Sequence, residues 1–107
     1  MKNTISNCKG FQWVEGNLDK NWYLHQVANG ECEEIFFNLP LIIASDSKHS
    51  QQEQRYYALG RTDTNRWLFI AFTTRDDLIR VISARDMNER ETRIYDKRVK
   101  RYTDLYK

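Results

Sequence analysis

Apolar side chains recur along this chain with two periods, and the changes of period mark out its elements. Phe11-Gln12-Trp13-Val14 reads as a short strand ended by Gly16. From Asn17 the spacing lengthens: Leu18, Trp22 and His25 or Gln26 return every three to four residues, which predicts a helix over 17–26 with Asn17 as its N-cap. Asn29-Gly30 signals a turn. After it Cys32, Ile35 and Phe36 share the stripe of a second helix that stops before Pro40, with Glu31 and Glu33 at its positive end. Leu39 to Ala44 is continuously apolar and reads as a strand, followed by a polar loop from Ser45 to Gln54.

Arg55 to Arg61 alternates weakly, and Thr62-Asp63-Thr64-Asn65 has hairpin length. Arg66 to Thr73 is apolar on both faces, so it is expected to be a central strand whose outer face is met by the C-terminal helix, a second copy or a partner protein. Arg75-Asp76-Asp77 turns again, and Leu78 to Ala84 forms the last strand. Asp86-Met87-Asn88-Glu89 reads as a capping box opening a long helix, with Met87, Ile94, Tyr95, Tyr102 and Tyr106 along one face. The expected order is β-α-α-β-β-β-β-α: an α+β domain in which an antiparallel sheet of four to five strands packs against helices. Trp13, Trp22 and Trp67 are expected in the core rather than as base-stacking platforms.

With 107 residues the chain is expected to be one domain, its core spanning about 11–95 and its C-terminal helix about 86–106. At 40% hydrophobic and 30% charged the composition is globular, with only the two ends reading as loose. No apolar run approaches membrane-spanning length, and Met1-Lys2-Asn3-Thr4-Ile5-Ser6-Asn7 lacks the apolar centre of a secretion signal, so a cytoplasmic protein with free Cys8 and Cys32 thiols is expected.

Charge changes the picture through its distribution. The net charge is only +2, but residues 1–54 hold four basic and seven acidic side chains while residues 55–85 hold six and three, and all ten arginines lie after position 54. Guanidinium grips phosphate or carboxylate through paired hydrogen bonds, so the bias points to an anionic partner. The plainer alternative is that these arginines solubilise an exposed sheet face and helix.

His25, His49, Cys8 and Cys32 show no paired ligand spacing, so no metal and no cofactor are expected. Phosphate-loop and nucleophile-elbow signatures are absent, which removes the usual marks of nucleotide hydrolysis and acyl transfer. RNA cleavage asks for less. The ribose 2′-hydroxyl is the nucleophile, and the protein supplies cationic donors, a base and an acid. Arg75, Arg80 and Arg85 stand in or beside the last two strands and could converge on one phosphate. Strict alternation, however, points Arg80 and Arg85 to opposite faces unless a bulge intervenes. The alternative is that one of them pairs with Asp76, Asp77 or Asp86.

These segments resemble the BrnT toxins of bacterial type II toxin-antitoxin pairs. The resemblance runs from Phe11 to Tyr95. It is carried by Phe11-Gln12-Trp13, Lys20-Asn21-Trp22 with His25, Glu33 through Leu41, Lys48-His49-Ser50, Arg55 with Leu59-Gly60-Arg61-Thr62, Phe69 through Thr73 with Arg75, Ile79 through Asp86, and Glu91, Arg93, Ile94 and Tyr95. It implies a RelE-like fold and a metal-independent endoribonuclease that halts growth. It further implies a BrnA-like antitoxin with a ribbon-helix-helix domain, DNA contact only through that antitoxin in operon repression, and a homodimer or a hetero-tetramer with it.

Two positions depart from the family. Val14 replaces an acidic residue, and Leu24 stands where the family has Lys before the histidine. The alternative function is therefore a weak or inactive homologue that docks the antitoxin and tunes repression. Among the residues, His25 is the first candidate acid or base, and Arg75, Arg80 and Arg85 are candidate phosphate donors. Tyr95 is a candidate phenol donor or base stacker that also lies on an apolar stripe. Lys48, His49, Arg55, Arg61, Lys97 and Arg98 are candidate RNA contacts.

Overall fold

The computed structural model describes residues 8–13, 19–49 and 53–105. The elements are β1 (Gly10–Gln12), α1 (Lys20–His25), α2 (Asn29–Ile35), β2 (Ile42–Ser45), a single 3₁₀ turn (Ser47–His49), β3 (Arg55–Arg61), β4 (Trp67–Arg75), β5 (Leu78–Asp86) and α3 (Glu89–Leu105). The sheet runs β1-β5-β4-β3-β2. Strands β2 to β5 form the antiparallel meander that the alternation predicts. β1 joins β5 in parallel, with Gly10 opposite Leu78 and Gln12 opposite Arg80, so the five-stranded sheet is mixed. Its direction is set by packing rather than by a hairpin, because two helices and three strands separate β1 from its neighbour.

One face of the sheet carries the main core. Leu68, Ile70 and Phe72 of β4, Ile79, Val81 and Ala84 of β5 and Ala58 of β3 pack against Val27 and against Cys32 and Ile35 of α2. Gly60 lets the α2 backbone approach closely: a Cβ there would stand 3.0 Å from Ile35 Cβ. On the opposite face β4 presents Trp67, Phe69 and Ala71. α3 covers one end of that face, where the Trp67 and Tyr95 rings meet edge-on at 4.8 Å.

Several local expectations shift. The cap at Asn17 lies outside the described residues. α1 has Trp22 exposed and Asn21 buried, the reverse of the expected stripe. The reason lies in the sheet edge. β1 stops at Gln12, and the outward backbone groups of β5 beyond Arg80 need partners. Asn21 Oδ1 accepts the Ala84 N–H at 3.0 Å, and the Lys20 ammonium donates to the Ile82 carbonyl. Asn29 and Gly30 open α2 instead of forming a separate turn, and Glu31 accepts the Ala28 N–H at 3.0 Å. β2 begins only at Ile42, with Leu39 exposed before it.

The capping box of α3 sits two residues later than Asp86. The Asn88 side chain accepts the Glu91 N–H at 2.8 Å, and Glu91 accepts the Asn88 N–H at 2.9 Å. Asp86 ends β5 and is occupied by an arginine described below. On α3, Tyr95 is buried and Ile94 is exposed, so the helix touches the sheet along a narrower stripe than expected. Tyr106 lies outside the described residues.

Candidate active site

A single irregularity in β5 decides which arginines share a face. Ser83 pairs with Ala71 and Val81 with Phe72, so Ile82 has no partner and forms a bulge. The extra residue inverts the alternation. Val81 and Ala84 are both buried in the main core, and Arg80, Ser83 and Arg85 all project from the opposite face. Arg80 and Arg85 therefore stand on one side of the sheet, contrary to strict alternation.

Rows of directly opposed residues cross that face. Arg55 lies opposite Thr73, which lies opposite Arg80, which lies opposite Gln12. The Asp46 N–H donates to the Arg55 carbonyl at 2.8 Å, which continues the ladder by one residue and places Asp46 at the other end of the row. The next row is Tyr57, Ala71, Ser83, and the one after is Leu59, Phe69, Arg85. With strands about 4.8 Å apart, the Arg55 and Arg80 backbones stand about 10 Å from each other, within the combined reach of two arginine side chains. Between them Thr73 is buried and donates its hydroxyl to the Gln54 carbonyl at 2.6 Å, forming a small, fixed floor.

The arginines divide by their carboxylate partners. Arg80 makes no ion pair among the described residues. Arg85 is held by Glu91 at 2.8 and 3.0 Å, and its guanidinium lies 4.2 Å from the centre of the Phe69 ring. The pairing partner is thus Glu91 rather than Asp76, Asp77 or Asp86. Burial disfavours the charged Glu91, but the hydrogen bonds from Arg85 and the Asn88 amide outweigh it and hold this carboxyl below its usual range. Arg75, at the exposed end of β4, pairs with Glu53 at 3.2 Å. Arg61 lies half-buried opposite Trp67, at the end covered by α3. Lys97 and Arg98 are exposed on α3, outside the row.

The two histidines stand at different places. His25 is exposed on the last turn of α1, and its charge acts on Asp86 at the far end of β5. His49, beside exposed Lys48 in the 3₁₀ turn, is hydrogen-bonded to Asp46: Nδ1 lies 2.8 Å from the Asp46 Oδ2 acceptor. His49 is therefore the histidine beside the Arg55–Thr73–Arg80 row. Tyr95 is fully buried, donates its hydroxyl to the Pro40 carbonyl at 2.6 Å, and burial pushes its phenol up to about 12. It holds α3 against the sheet and is not presented to a ligand.

Arg66, which sequence reasoning left without a role, is the hub of a separate network. It donates to both oxygens of Asp86 at 2.7 and 3.1 Å, to both of Glu31 at 3.2 Å, and to the carbonyls of Gln26 at 2.9 Å and His25 at 3.4 Å. The Asp86 hydrogen bond raises the Arg66 guanidinium further, and Arg66 in turn holds the Asp86 carboxyl below the usual range. Asp46, Thr73 and Tyr57 were also unassigned from sequence. Only the three-residue spacing of Asp46 and His49 offered a signal.

Residues 13–91 match the family described as "Ribonuclease toxin, BrnT, of type II toxin-antitoxin system". The chain belongs to the BrnT family. The match starts at Trp13 and ends at Glu91, the carboxylate that holds Arg85, so it spans strands β2 to β5 and every arginine they carry. The chain matches no curated protein. Membership in a type II toxin family brings with it an RNA target and an antitoxin partner.

Of the two BrnT departures, Val14 lies outside the described residues, and Leu24 is exposed on α1, away from the Arg55–Arg80 row. Among the described residues no three His, Cys, Asp or Glu side chains cluster as metal ligands, and no helix is long and apolar enough to cross a membrane. Cys8 and Cys32 are not joined in a disulfide, and burial pushes the Cys32 thiol up to about 12, which leaves it unreactive.

Proposed function

We propose that this BrnT chain is an endoribonuclease that needs no metal, and that RNA lies across the open end of the second sheet face. The observation that carries this reading is Arg80. It is a guanidinium on β5 where that strand is paired on both sides, with no carboxylate partner among the described residues, two strands from Arg55 on the same face. Donors set this way stabilise the charge that develops on the phosphorane as the ribose 2′-hydroxyl attacks the adjacent phosphorus. The O5′ atom leaves, and a 2′,3′-cyclic phosphate results. Half-buried Tyr57, one row along the face, offers a ring on which an unpaired base stacks. Lys48 borders the same end and tracks neighbouring phosphates.

The neutralising partner is a BrnA-like antitoxin with a ribbon-helix-helix domain, through which the pair reaches DNA. The consecutive exposed side chains Trp22, Tyr23 and Leu24 on α1 support a protein partner, because apolar surface of this kind marks protein contacts. The position of Leu24 outside the arginine row speaks for activity over the inactive alternative.

The test is direct. Purified protein incubated with RNA in excess EDTA is expected to yield fragments ending in 2′,3′-cyclic phosphate, and expression of the chain alone is expected to arrest growth. Loss of cleavage on chelation, or products bearing 3′-hydroxyls, would refute the mechanism. Full activity with harmless expression would refute the toxin role.

A further inference from the structure

The row that presents Arg80 and Arg55 to phosphate still needs a group that takes the 2′-hydroxyl proton, and sequence alone favoured His25 on α1. Building on the ribonuclease reading above, we infer that His49 is the general base and that Asp46 is its positioning residue. Three features of the structure carry this. Asp46 continues the Asp46–Arg55–Thr73–Arg80 row through its 2.8 Å backbone bond to Arg55, so it stands at the border of the phosphate position. Its carboxylate lies 2.8 Å from Nδ1 of His49. A carboxylate there fixes the tautomer with hydrogen on Nδ1 and the lone pair on Nε2, the arrangement in which an imidazole takes a proton. The His49 side chain is 64% exposed, so Nε2 is open to a substrate, whereas Asp46 is only 26% exposed and is held by the turn. His25 has none of this: it lies at the Asp86 end of β5 and faces a carboxylate already taken by Arg66.

In the step itself Nε2 of His49 accepts the proton of the ribose 2′-hydroxyl as the O2′–P bond forms. Arg80 and Arg55 hold the non-bridging oxygens, the P–O5′ bond breaks, and O5′ takes a proton from water. The imidazolium then returns its proton to the hydroxide so formed, and the enzyme is restored.

The experiment compares wild type, His49→Ala, Asp46→Ala, the double variant and His25→Ala in single-turnover cleavage of one RNA oligonucleotide, with thermal melts of each. His49→Ala is expected to lose about 10² to 10⁴ in rate with an unchanged melting temperature and to recover part of it in added imidazole. Asp46→Ala is expected to lose less. The double variant should cleave no more slowly than His49→Ala alone, because the aspartate acts only through the histidine. An Asp46 that merely braces the turn would instead add its own loss. On RNA with a sulfur in place of the bridging O5′ atom, His49→Ala stays slow, since the better leaving group replaces an acid but not a base. A wild-type chain that cleaves no RNA overturns the ribonuclease reading and this inference with it. A wild-type chain that cleaves no faster than His49→Ala, or a loss confined to His25→Ala, overturns the inference alone.

Discussion

Arg85 and Arg80, on one face of the sheet, are set in different surroundings at its two ends. At the end covered by α3, Arg85 is bound in a two-bond fork to Glu91, while Arg66, at the same end of the sheet but on its α2 side, is shared between Asp86 and Glu31. At the open end Arg75 is met at its exposed tip by Glu53, whereas Arg80 has no carboxylate partner among the described residues. A guanidinium whose donors are filled by carboxylates has nothing left for phosphate and ties elements together instead. One without a carboxylate is a prepared anion site. The difference lies in the second residue, the acid, and only packing decides where an acid stands.

The sharpest way to break the comparison is to remove one arginine from each end. Arg80→Ala is expected to lower single-turnover RNA cleavage by about 10² to 10³ with little change in melting temperature. Arg85→Ala is expected to lose less activity and to melt lower, because it frees Glu91 and uncovers Phe69. Equal losses of activity at both positions would erase the division.

A second variant acts on stability alone. Arg66→Ala removes donors to two carboxylates and two backbone carbonyls at a partly exposed site. It is expected to cost about 1–3 kcal/mol, each kcal/mol worth roughly 4–8 °C in a domain of about this size. It also changes the response to acid. Asp86 and Glu91 have folded-state pKa values below their unfolded ones, so as pH falls the unfolded chain takes up protons first. Their contribution is therefore complete above about pH 5 and is lost as pH drops through the folded values. Thermal melts of the wild type should fall more steeply than those of Arg66→Ala below about pH 4. The difference should be small and shrink in high salt, because the Asp86 side chain is 63% exposed. Parallel acid limbs would show that the Arg66 network is inert.

The smallest effects are expected on the solvent side of α3. Replacing Arg90, Arg98 or Arg101 with Ala should weaken RNA binding by a few-fold at low salt and lower the salt dependence by about one unit each, with the cleavage step unchanged. Losses there as large as that of Arg80→Ala would mean a diffuse phosphate-binding surface rather than a site.

Much of the fold was legible because it depends on side-chain period. The meander, the two short helices and the long C-terminal helix all follow from alternation or three-to-four spacing in a single window. The misreadings share a cause. Trp22 was expected inside because apolar residues usually lead a helical stripe, but α1 is only six residues long and is held by polar bonds from Lys20 and Asn21 to the β5 edge. Asp86 was expected as a cap because Asp86 with Glu89 three residues later has the spacing of a capping box, yet Arg66, 20 positions away, holds it. In both cases a long-range polar partner overrode a local preference.

The sequence by itself determined the class of the protein: the order of its elements, the apolar central strand, the concentration of arginine after position 54, and the blocks shared with the BrnT family. All of these are properties of residues near one another in the chain. Which arginine faces phosphate was decided only by the tertiary structure. One unpaired residue, Ile82, turns Arg85 onto the face of Arg80, because in a strand a single insertion inverts every side chain beyond it. The pairing of β2 with β3 then brings Asp46, and with it His49, to the end of the row that Arg55, Thr73 and Arg80 form. Three strands separated in sequence meet there, and the register that aligns them arises from burying the opposite face.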